Sequence, residues 1–270
     1  MSAATLDLDA YFTRIEWGGA TTPTLATLDG LQRAHMAHIP FENLDVLLGR
    51  RVRLDLEGVQ AKLVAARRGG YCFEHATLFA AVLARLGFAP RCHASRVLLF
   101  ATRETSPRTH MFITVTLPEG TFVVDPGFGA KAPPFPVPLA ENASPMDANA
   151  THVLVPDGED WLLRVKSEGE MIDAWISTLD VENPIDFELA NHYTATHPDS
   201  AFVQRLMMRA LTPEGRITVL DRDVTEWRGD GKRSWQLTDR AALQALLATH
   251  FGIDLPEVRG LRVPAIPEWG

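Results

Sequence analysis

The sequence of 270 residues carries a net charge of −8, and 46% of its residues are hydrophobic and 22% charged. This composition predicts a globular protein with one large domain or a few small ones, and it excludes a largely disordered chain. The acidic balance argues against a dedicated surface for nucleic acid or for an anionic membrane. We expect a cytoplasmic protein, because no basic and apolar leader and no run of about 18 apolar residues occurs.

The first third of the sequence predicts helices. Apolar residues recur at helical spacing in LDLDAYFTRIEW, TLATLDGLQRAHMAHIPF, LEGVQAKLVAARR and the segment that follows Gly70. Pro40 is expected to halt the second of these helices, and Gly87 to close the last one. These residues therefore predict a helical N-terminal part.

The sequence after Arg91 predicts strands. The runs HASRVLLF, HMFITVTL, TFVVDPGF, HVLVP and WLLRVK are separated by turn signals, which indicates an antiparallel β-domain. The proline-rich segment KAPPFPVPL, residues 131–139, cannot be a central strand and is expected to form an extended loop that could line a site. In the last part, candidate strands RITVLDRDV and SWQLT flank the turn GDGK, and a helix is expected from an N-cap at Thr238 to about Gly252.

Two cysteines in a chain of this length do not form a disulfide framework, and no CxxC or HExxH spacing indicates a metal site. We expect both thiols to be reduced. Cys92 lies early in a predicted strand, with no glycine turn and no helix terminus beside it, and is interpreted as structural.

Cys72 differs from Cys92, because it comes shortly after the pair Gly69–Gly70 and lies in the first turn of the last helix predicted for the N-terminal part. That helix would begin at about Tyr71. There the helix dipole and a nearby Arg67 or Arg68 would stabilise a thiolate. The pair Gly69–Gly70 would allow a sharp turn and a close approach of substrate. A buried structural thiol is the commoner explanation for a cysteine at such a position, since free cysteine is among the most often buried residues. Position alone leaves both interpretations open.

A nucleophilic thiol needs a base, and that base needs an orienting group. His110 opens the strand HMFITVTL, and Asp125 ends the next strand before the loop PGFG. A hairpin loop at Glu119 and Gly120 would place both on one face of the sheet, but about 13 Å apart along the strands. A bulge or a splayed strand end would have to close that gap. Asp125 is equally well interpreted as a residue that starts a turn.

Several segments together resemble the arylamine N-acetyltransferase family. They are RGGYCFE at 68–74, HMFITV, VDPGFG at 124–129, IPFENLDVLLG at 39–49 and HYTATHPDSAFVQRL at 192–206. The resemblance spans about residue 8 to residue 255. It implies an α+β multidomain fold with a cysteine-protease or transglutaminase-like core. A helical bundle at 1–89 would carry the nucleophile, a central antiparallel β-barrel at 90–190 the histidine and aspartate, and an α/β lid would span 191–270.

The resemblance also implies an activity. The chain would move an acetyl group from acetyl-CoA to an aromatic amine or hydrazine in a ping-pong reaction, through a thioester on a cysteine. The implied catalytic triad is Cys72, His110 and Asp125, with no metal. The resemblance implies that an arylamine would bind in a pocket formed by Phe41, Phe128 and Phe202. It also implies that coenzyme A would contact Gly127, Phe128 and Gly129. Coenzyme A and a small amine would be the partners of a monomer or homodimer that binds no nucleic acid or membrane.

Two positions depart from the family pattern. Pro126 stands where the family usually has valine, which removes a backbone donor beside Asp125, and Ala76 stands where the family usually has asparagine. Other functions suit the same residues. A cysteine hydrolase or transglutaminase-like enzyme would use the same order of residues, and an amide synthase would take its acyl group from a carrier-bound polyketide chain. In a non-catalytic binding protein, Cys72 would merely be packed.

Overall fold

The computed structural model describes residues 5–141, 151–167, 169–229 and 231–269. The helical N-terminal part is confirmed. Its helices are α1 (Leu8–Arg14), α2 (Leu25–His38), α3 (Leu44–Leu47), α4 (Leu56–Val59) and α5 (Cys72–Arg85), and α4 continues as a π-helical turn over Gln60–Ala65. Side chains cap the first two helices, because Asp7 accepts a hydrogen bond from the Ala10 amide and Thr24 from the Thr27 amide.

Helix α5 lies at the centre of this part. It begins at Cys72, one residue later than the sequence predicted, and Gly87 follows its end with a φ of 88°. Its predicted inward face is confirmed, since Cys72, Ala76, Phe79 and Leu83 are all buried. The helix packs against two strands of the central sheet, which fixes the position of its first turn relative to them.

The central sheet is antiparallel and has seven strands in the order β5-β4-β3-β2-β8-β7-β6. They are β2 (Pro90–Val97), β3 (His110–Leu117), β4 (Gly120–Val124), β5 (Val137–Pro138), β6 (His152–Asp157), β7 (Asp160–Ser167) and β8 (Glu170–Ser177). The two edge strands β5 and β6 contact each other, so the sheet nearly closes on itself. The proline-rich segment supplies only the short edge strand β5. Strand β8 was not predicted from the sequence.

The C-terminal part contains α6 (Pro184–Thr196), α7 (Ala201–Gln204), α8 (Arg240–Leu246) and a second sheet. This sheet has the order β1-β9-β10-β11-β12. Its strands are β1 (Phe41–Glu42), β9 (Met207–Thr212), β10 (Gly215–Leu220), β11 (Asp223–Arg228) and β12 (Gly231–Gln236). Strand β1 comes from the helical part of the chain, so the N-terminal and C-terminal parts share one sheet.

Two sequence predictions for this part were wrong. RITVLDRDV is not one strand, because a turn at Asp221, with a φ of 55°, divides it between β10 and β11. The N-cap of α8 is Asp239 rather than Thr238, and its carboxylate accepts from the Ala242 amide. Asp230 of the predicted GDGK turn lies outside the described residues.

The fold is α+β, as predicted. Apolar side chains form a core between the helices and the central sheet, a second core under the C-terminal sheet, and a third within the central sheet. Within the described ranges, we find no helix with the length and apolar character needed to cross a membrane.

Candidate active site

The first turn of α5 lies beside β1. The Gly70 amide donates to the Pro40 carbonyl, the Glu42 amide donates to the Gly70 carbonyl, and Phe41 pairs with Gly70 as in a parallel sheet. A side chain at Gly69 would lie 2.2 Å from the Pro40 carbonyl oxygen. The glycines are therefore needed for this close approach. The predicted sharp glycine turn was wrong, because the positive φ of 52° belongs to Arg67.

The prediction that Arg67 or Arg68 assists the thiol was also wrong. Arg67 is exposed, and the buried Arg68 guanidinium lies 2.6 Å from Glu42 Oε1 and 3.2 Å from Asp45 Oδ1. Lys62 Nζ lies 2.8 Å from both Asp45 Oδ2 and Glu74 Oε1. The charge of Arg68 is thus balanced by carboxylates within an ion-pair network.

The hairpin of β3 and β4 brings the predicted base and its orienting group together. Its register pairs Leu117 with Gly120 and Ile113 with Val124, so Asp125 follows opposite Phe112. The predicted loop of Glu119 and Gly120 would have placed Asp125 opposite Thr114. The predicted register was therefore wrong by two residues, which keeps the face but shortens the separation to about 7 Å along the strands. His110 Nε2 and Asp125 Oδ2 are 2.8 Å apart. The register closes the gap without a bulge.

A tryptophan that the sequence analysis missed completes this arrangement. Trp175, on β8, is fully buried and donates from Nε1 to the same Oδ2 of Asp125 at 3.1 Å. Its ring stacks on Phe112 with ring centroids 4.4 Å apart. The other carboxylate oxygen, Oδ1, is buried and has no hydrogen-bond partner among the described residues. Asp125 is therefore held by two donors on one oxygen.

Electrostatics favour the protonated form of His110. Burial lowers the pKa of His110, but the charge of Asp125, its hydrogen bond and the contact with Cys72 outweigh burial and raise that pKa to about 10. Cys72 itself is 3% exposed, and its Sγ lies 3.8 Å from the Thr109 carbonyl oxygen. In contrast, burial raises the pKa of the Cys92 thiol to about 11, which keeps that thiol protonated at neutral pH.

The predicted aromatic residues lie around this arrangement. The Phe128 ring lies 4.7 Å from the His110 ring, and the Phe202 ring lies 5.2 Å from Tyr71 and 6.2 Å from Phe41, between centroids. A Cβ at Gly129 would meet the Phe41 ring at 3.2 Å. Phe41 and Phe128 therefore lie at the turn that follows Asp125, and Phe202 lies beside Phe41 and Tyr71.

Comparison with known proteins identifies the family. A profile of the N-acetyltransferase family matches residues 24–259. The chain belongs to the N-acetyltransferase family. It is 37% identical over 258 residues to an arylamine N-acetyltransferase of Mycobacterium tuberculosis, with 94% of this chain and 91% of the relative covered. It is 33% identical over 254 residues, or 93% and 90% of the two chains, to a Salmonella typhimurium protein named arylamine N-acetyltransferase / N-hydroxyarylamine O-acetyltransferase.

Solved structures agree with this assignment to the N-acetyltransferase family. The arylamine N-acetyltransferase of Mycobacterium marinum in complex with CoA has a TM-score of 0.88 and 35% identity, with 93% of this chain and 94% of that chain covered. The structure of the M. tuberculosis arylamine N-acetyltransferase has a TM-score of 0.87 and 36% identity, with 93% and 96% covered.

Gly127 of this N-acetyltransferase packs directly on α5. A Cβ at this position would lie 2.7 Å from Cys72 Cα and 3.2 Å from His75 Cβ. The turn after Asp125 therefore lies against the backbone of Cys72. The predicted contact of Gly127 with coenzyme A stays a prediction.

A chain of hydrogen bonds behind Cys72 was not predicted to have a role. His75 Nε2 lies 3.2 Å from the Pro40 carbonyl, His75 Nδ1 lies 2.8 Å from His35 Nε2, and His35 Nδ1 lies 2.9 Å from Tyr11 Oη. The carbonyl can only accept, so each group donates in turn and Tyr11 donates to His35. Burial above all lowers the pKa of His75 to about 4. Both imidazoles are therefore neutral and hold α5 to α1 and α2.

Proposed function

We propose that this chain acetylates aromatic amines or hydrazines, with acetyl-CoA as the donor and a thioester on Cys72 as the intermediate. The observation that carries this proposal is that His110 contacts both Cys72 and Asp125, while the chain belongs to the N-acetyltransferase family. In this proposal Cys72 is the nucleophile, His110 the acid and base, and Asp125 the orienting group. The coenzyme complex of the M. marinum enzyme supports acetyl-CoA as the donor.

In the first half-reaction, the Cys72 thiolate attacks the acetyl carbonyl carbon. The positive charge on His110 and the N-terminus of α5 stabilise the thiolate. The C–S bond to the coenzyme breaks, its sulfur takes a proton from His110, and the acetyl group stays on Cys72. The Cys72 amide, which is free of an intrahelical partner at this terminus, is a candidate donor to the oxyanion.

In the second half-reaction, an amine attacks the acetyl-cysteine. His110 takes the proton from the attacking nitrogen, and the thiolate of Cys72 leaves as the amide forms. Nε2 of His110 is bound to Asp125, so Nδ1 is the ring nitrogen that serves the reaction. A flat aromatic amine would contact Phe41, Phe128 and Phe202, and the segment of Gly127, Phe128 and Gly129 would border the pantetheine arm.

The division into a helical bundle at 1–89, a β-barrel at 90–190 and a lid at 191–270 belongs to the same proposal. The near-closure of the seven-stranded sheet supports the barrel, and the way β1 pairs with β9 joins the proposed lid to the first domain. The cysteine-protease or transglutaminase-like core, the cytoplasmic location and the monomeric or homodimeric state stay predictions.

The test is to mix the protein with acetyl-CoA and no amine. We expect one acetyl group on Cys72 by mass spectrometry, together with a stoichiometric burst of free coenzyme A. Cys72→Ser should lose the burst, whereas Cys92→Ser should keep it, since Cys92 lies on β2 and its thiol is protonated. Absence of the acetyl adduct in the unaltered protein would refute the transferase proposal and favour a hydrolase, a carrier-dependent amide synthase or a packed thiol.

A further inference from the structure

Arg209 is a buried arginine with no partner among the residues that the structure describes. The residue is 7% exposed, and its Nε is completely buried without a hydrogen-bond partner. Among the residues that the structure describes, no group forms a hydrogen bond or ion pair with its guanidinium. An unpaired buried charge is costly, and the sequence offers 34 acidic residues that could have paired with it. Within the described part of the chain, the donors of this arginine are therefore unsatisfied.

The strand register places Arg209 two backbone segments away from Gly70, in the proposed nucleophile segment. Phe41 pairs with Arg209 of β9 on one side and with Gly70, two residues before Cys72, on the other. Neighbouring strands lie about 4.8 Å apart, so the Arg209 backbone lies about 10 Å from that of Gly70. Paired residues share a face of the sheet, so Arg209 is on the same face as Phe41. That ring lies against the position of Gly129 and beside Phe202.

The electrostatic surroundings of Arg209 are positive. Burial above all, and then the charge of Arg216, lower the pKa of Arg209 to about 10. The charge of Arg209 also contributes, after burial, to the lowering of the pKa of His75 and His152 to about 4. The nearby Glu42 alternates to the opposite face of β1, where it pairs with Arg68. Glu42 therefore does not compete with an anion that binds beside Arg209.

We propose that Arg209 binds a carboxylate carried by the acceptor amine, so that ring-carboxylated aromatic amines such as aminobenzoates are the preferred substrate class. This inference rests on the proposed function. The planar guanidinium matches a carboxylate with two parallel hydrogen bonds. In an aminobenzoate, one aromatic ring separates the amine from the carboxylate. With that ring against Phe41, the amine would face Cys72 and the carboxylate Arg209.

A phosphate of the acyl donor is the competing source of negative charge. The pantetheine arm separates the phosphates from the thioester by a long extended chain, whereas Arg209 is only two strands away from the segment that ends at Cys72. The exposed Arg216, whose guanidinium lies 4.3 Å from the Trp227 ring centroid, is further along the same sheet. The deeper arginine therefore suits the smaller and nearer anion.

The test compares 4-aminobenzoate with its neutral analogue 4-aminobenzamide. For each, kcat/KM is measured with acetyl-CoA in the unaltered protein and in Arg209→Gln, Arg209→Lys and Arg216→Gln. Loss of a bidentate contact should lower the benzoate-to-benzamide ratio about tenfold or more in Arg209→Gln. The ratio for Arg209→Lys should lie between those of the unaltered protein and Arg209→Gln, because lysine keeps the charge but cannot form two parallel hydrogen bonds. Arg216→Gln should leave the ratio within about twofold.

Binding without turnover provides an independent measurement. Titration of 4-nitrobenzoate, which lacks the nucleophilic amine, should show weaker binding to Arg209→Gln than to Arg216→Gln by the same factor. Arg209→Met, which removes an unpaired buried charge and keeps an apolar stem, should keep the melting temperature of the unaltered protein or raise it. Folded Arg209 variants with an unchanged substrate ratio and unchanged 4-nitrobenzoate affinity would overturn the proposal.

Two controls separate this inference from the proposed function and from the competing anion. Acetylation of Cys72 by acetyl-CoA is measured in every variant, and its absence from the unaltered protein would refute the proposed function rather than the role of Arg209. The donor is then changed to S-acetyl-N-acetylcysteamine, which has no phosphate. Arg209→Gln could instead lose kcat/KM with acetyl-CoA but not with the short donor, and by the same factor for both amines. That result would assign Arg209 to the donor and overturn the carboxylate site.

Discussion

Asp125 is predicted to set the protonation of His110 and, through it, the reactivity of Cys72. With the pKa of His110 at about 10, the imidazolium persists across neutral pH. Alkylation of Cys72 by iodoacetamide should therefore be fast at pH 7 and should lose no rate through deprotonation of His110 up to about pH 9. In Asp125→Asn, burial would dominate, the pKa of His110 would fall, and the imidazole would be neutral above about pH 6.5.

The expected result for Asp125→Asn is alkylation of Cys72 at least about tenfold slower at pH 7, because the imidazole beside the thiol is then neutral. Rates are followed by mass spectrometry, and circular dichroism checks that the variant is folded. If the unaltered protein were alkylated no faster at pH 7 than Asp125→Asn, the assigned charge state of His110 would be wrong.

Trp175 is predicted to act as a positioning residue. Its Nε1 donates to the Asp125 oxygen that also binds His110, so Trp175→Phe keeps an aromatic ring at this position but removes the indole N–H, one of the two donors. We expect kcat to fall about tenfold with KM for the amine nearly unchanged. Trp161→Phe on β7 is the matched control and should keep kcat. Equal losses in both variants would indicate a packing effect instead.

Local pattern could predict Cys72, His110 and Asp125 as candidates, but not the partners that act on them. Trp175 is 50 residues from Asp125 along the chain, and Arg68 is 26 residues from Glu42. Such contacts depend on strand order and on the approach of distant segments, which spacing in the sequence does not contain. The expectation that Arg68 would assist the thiol was wrong for this reason.

At the scale of single elements, the first turn of α5 contains Glu74, a buried carboxyl group whose ionisation affects the stability of the fold. Glu74 accepts from the Tyr71 amide at 3.1 Å, and Lys62 Nζ lies 2.8 Å from its other oxygen. Burial raises the pKa of Glu74 from 4.5 to about 7, although Lys62 lowers it. The folded state therefore favours the protonated carboxyl, and ionisation of Glu74 reduces stability as the pH rises through this range.

Glu74→Gln should remove that pH dependence while it keeps an acceptor for the Tyr71 amide. Relative to this variant, the free energy of unfolding of the unaltered protein should fall by up to about 3 kcal/mol between about pH 4.5 and about pH 7, and level off above. Urea unfolding at several pH values measures it. Glu57→Gln alters an exposed carboxylate and serves as the control. A difference that grows with pH above about 8 would contradict the assignment to Glu74.

The predicted elements were most accurate where apolar residues continue along the whole element, as in β3, where seven of the eight residues are buried. Strand β3 was predicted with its observed limits, and α5 to within a residue at its start. Strand β8 was missed, because its first half is largely exposed and its last four residues are all buried, which gives no alternation. The hairpin register was wrong by two residues, because a shift by two preserves the face of every side chain.

For the whole molecule, the sequence did not reveal that the N-terminal and C-terminal parts share a sheet. Strand β1 has only two residues, which is too short for a periodic pattern. The same segment carries Asn43, whose Nδ2 donates to the carbonyls of Phe202 and Arg205 at 2.8 Å and whose Oδ1 accepts from the Met207 amide at 2.9 Å. One buried side chain thus fixes the start of β9 and the backbone of Phe202 against β1.

Asn43 is therefore predicted to hold in place the residues of the C-terminal part that we propose as substrate contacts. Asn43→Ala loses three hydrogen bonds to partly buried backbone groups and should lower the free energy of unfolding by about 2–4 kcal/mol. Asn43→Asp keeps the acceptor for Met207 but faces two carbonyls without a donor, so it should not restore stability. Thermal unfolding measures both, and Asn183→Ala, which removes the N-cap of α6 and should cost only about 1 kcal/mol, is the comparison for the loss of an asparagine that does not join two parts of the chain.

The activity of Asn43→Ala should change unevenly, because Cys72, His110 and Asp125 lie on α5 and the central sheet, whereas Phe202 and Arg209 depend on the contact of Asn43. Below the melting temperature of the variant, acetylation of Cys72 by acetyl-CoA should keep most of its rate. KM for the aromatic amine should rise several-fold, and the preference for 4-aminobenzoate over 4-aminobenzamide should weaken with it. Equal losses in acetylation and in amine use would instead mean that the shared sheet supports the nucleophile as directly as it supports the pocket.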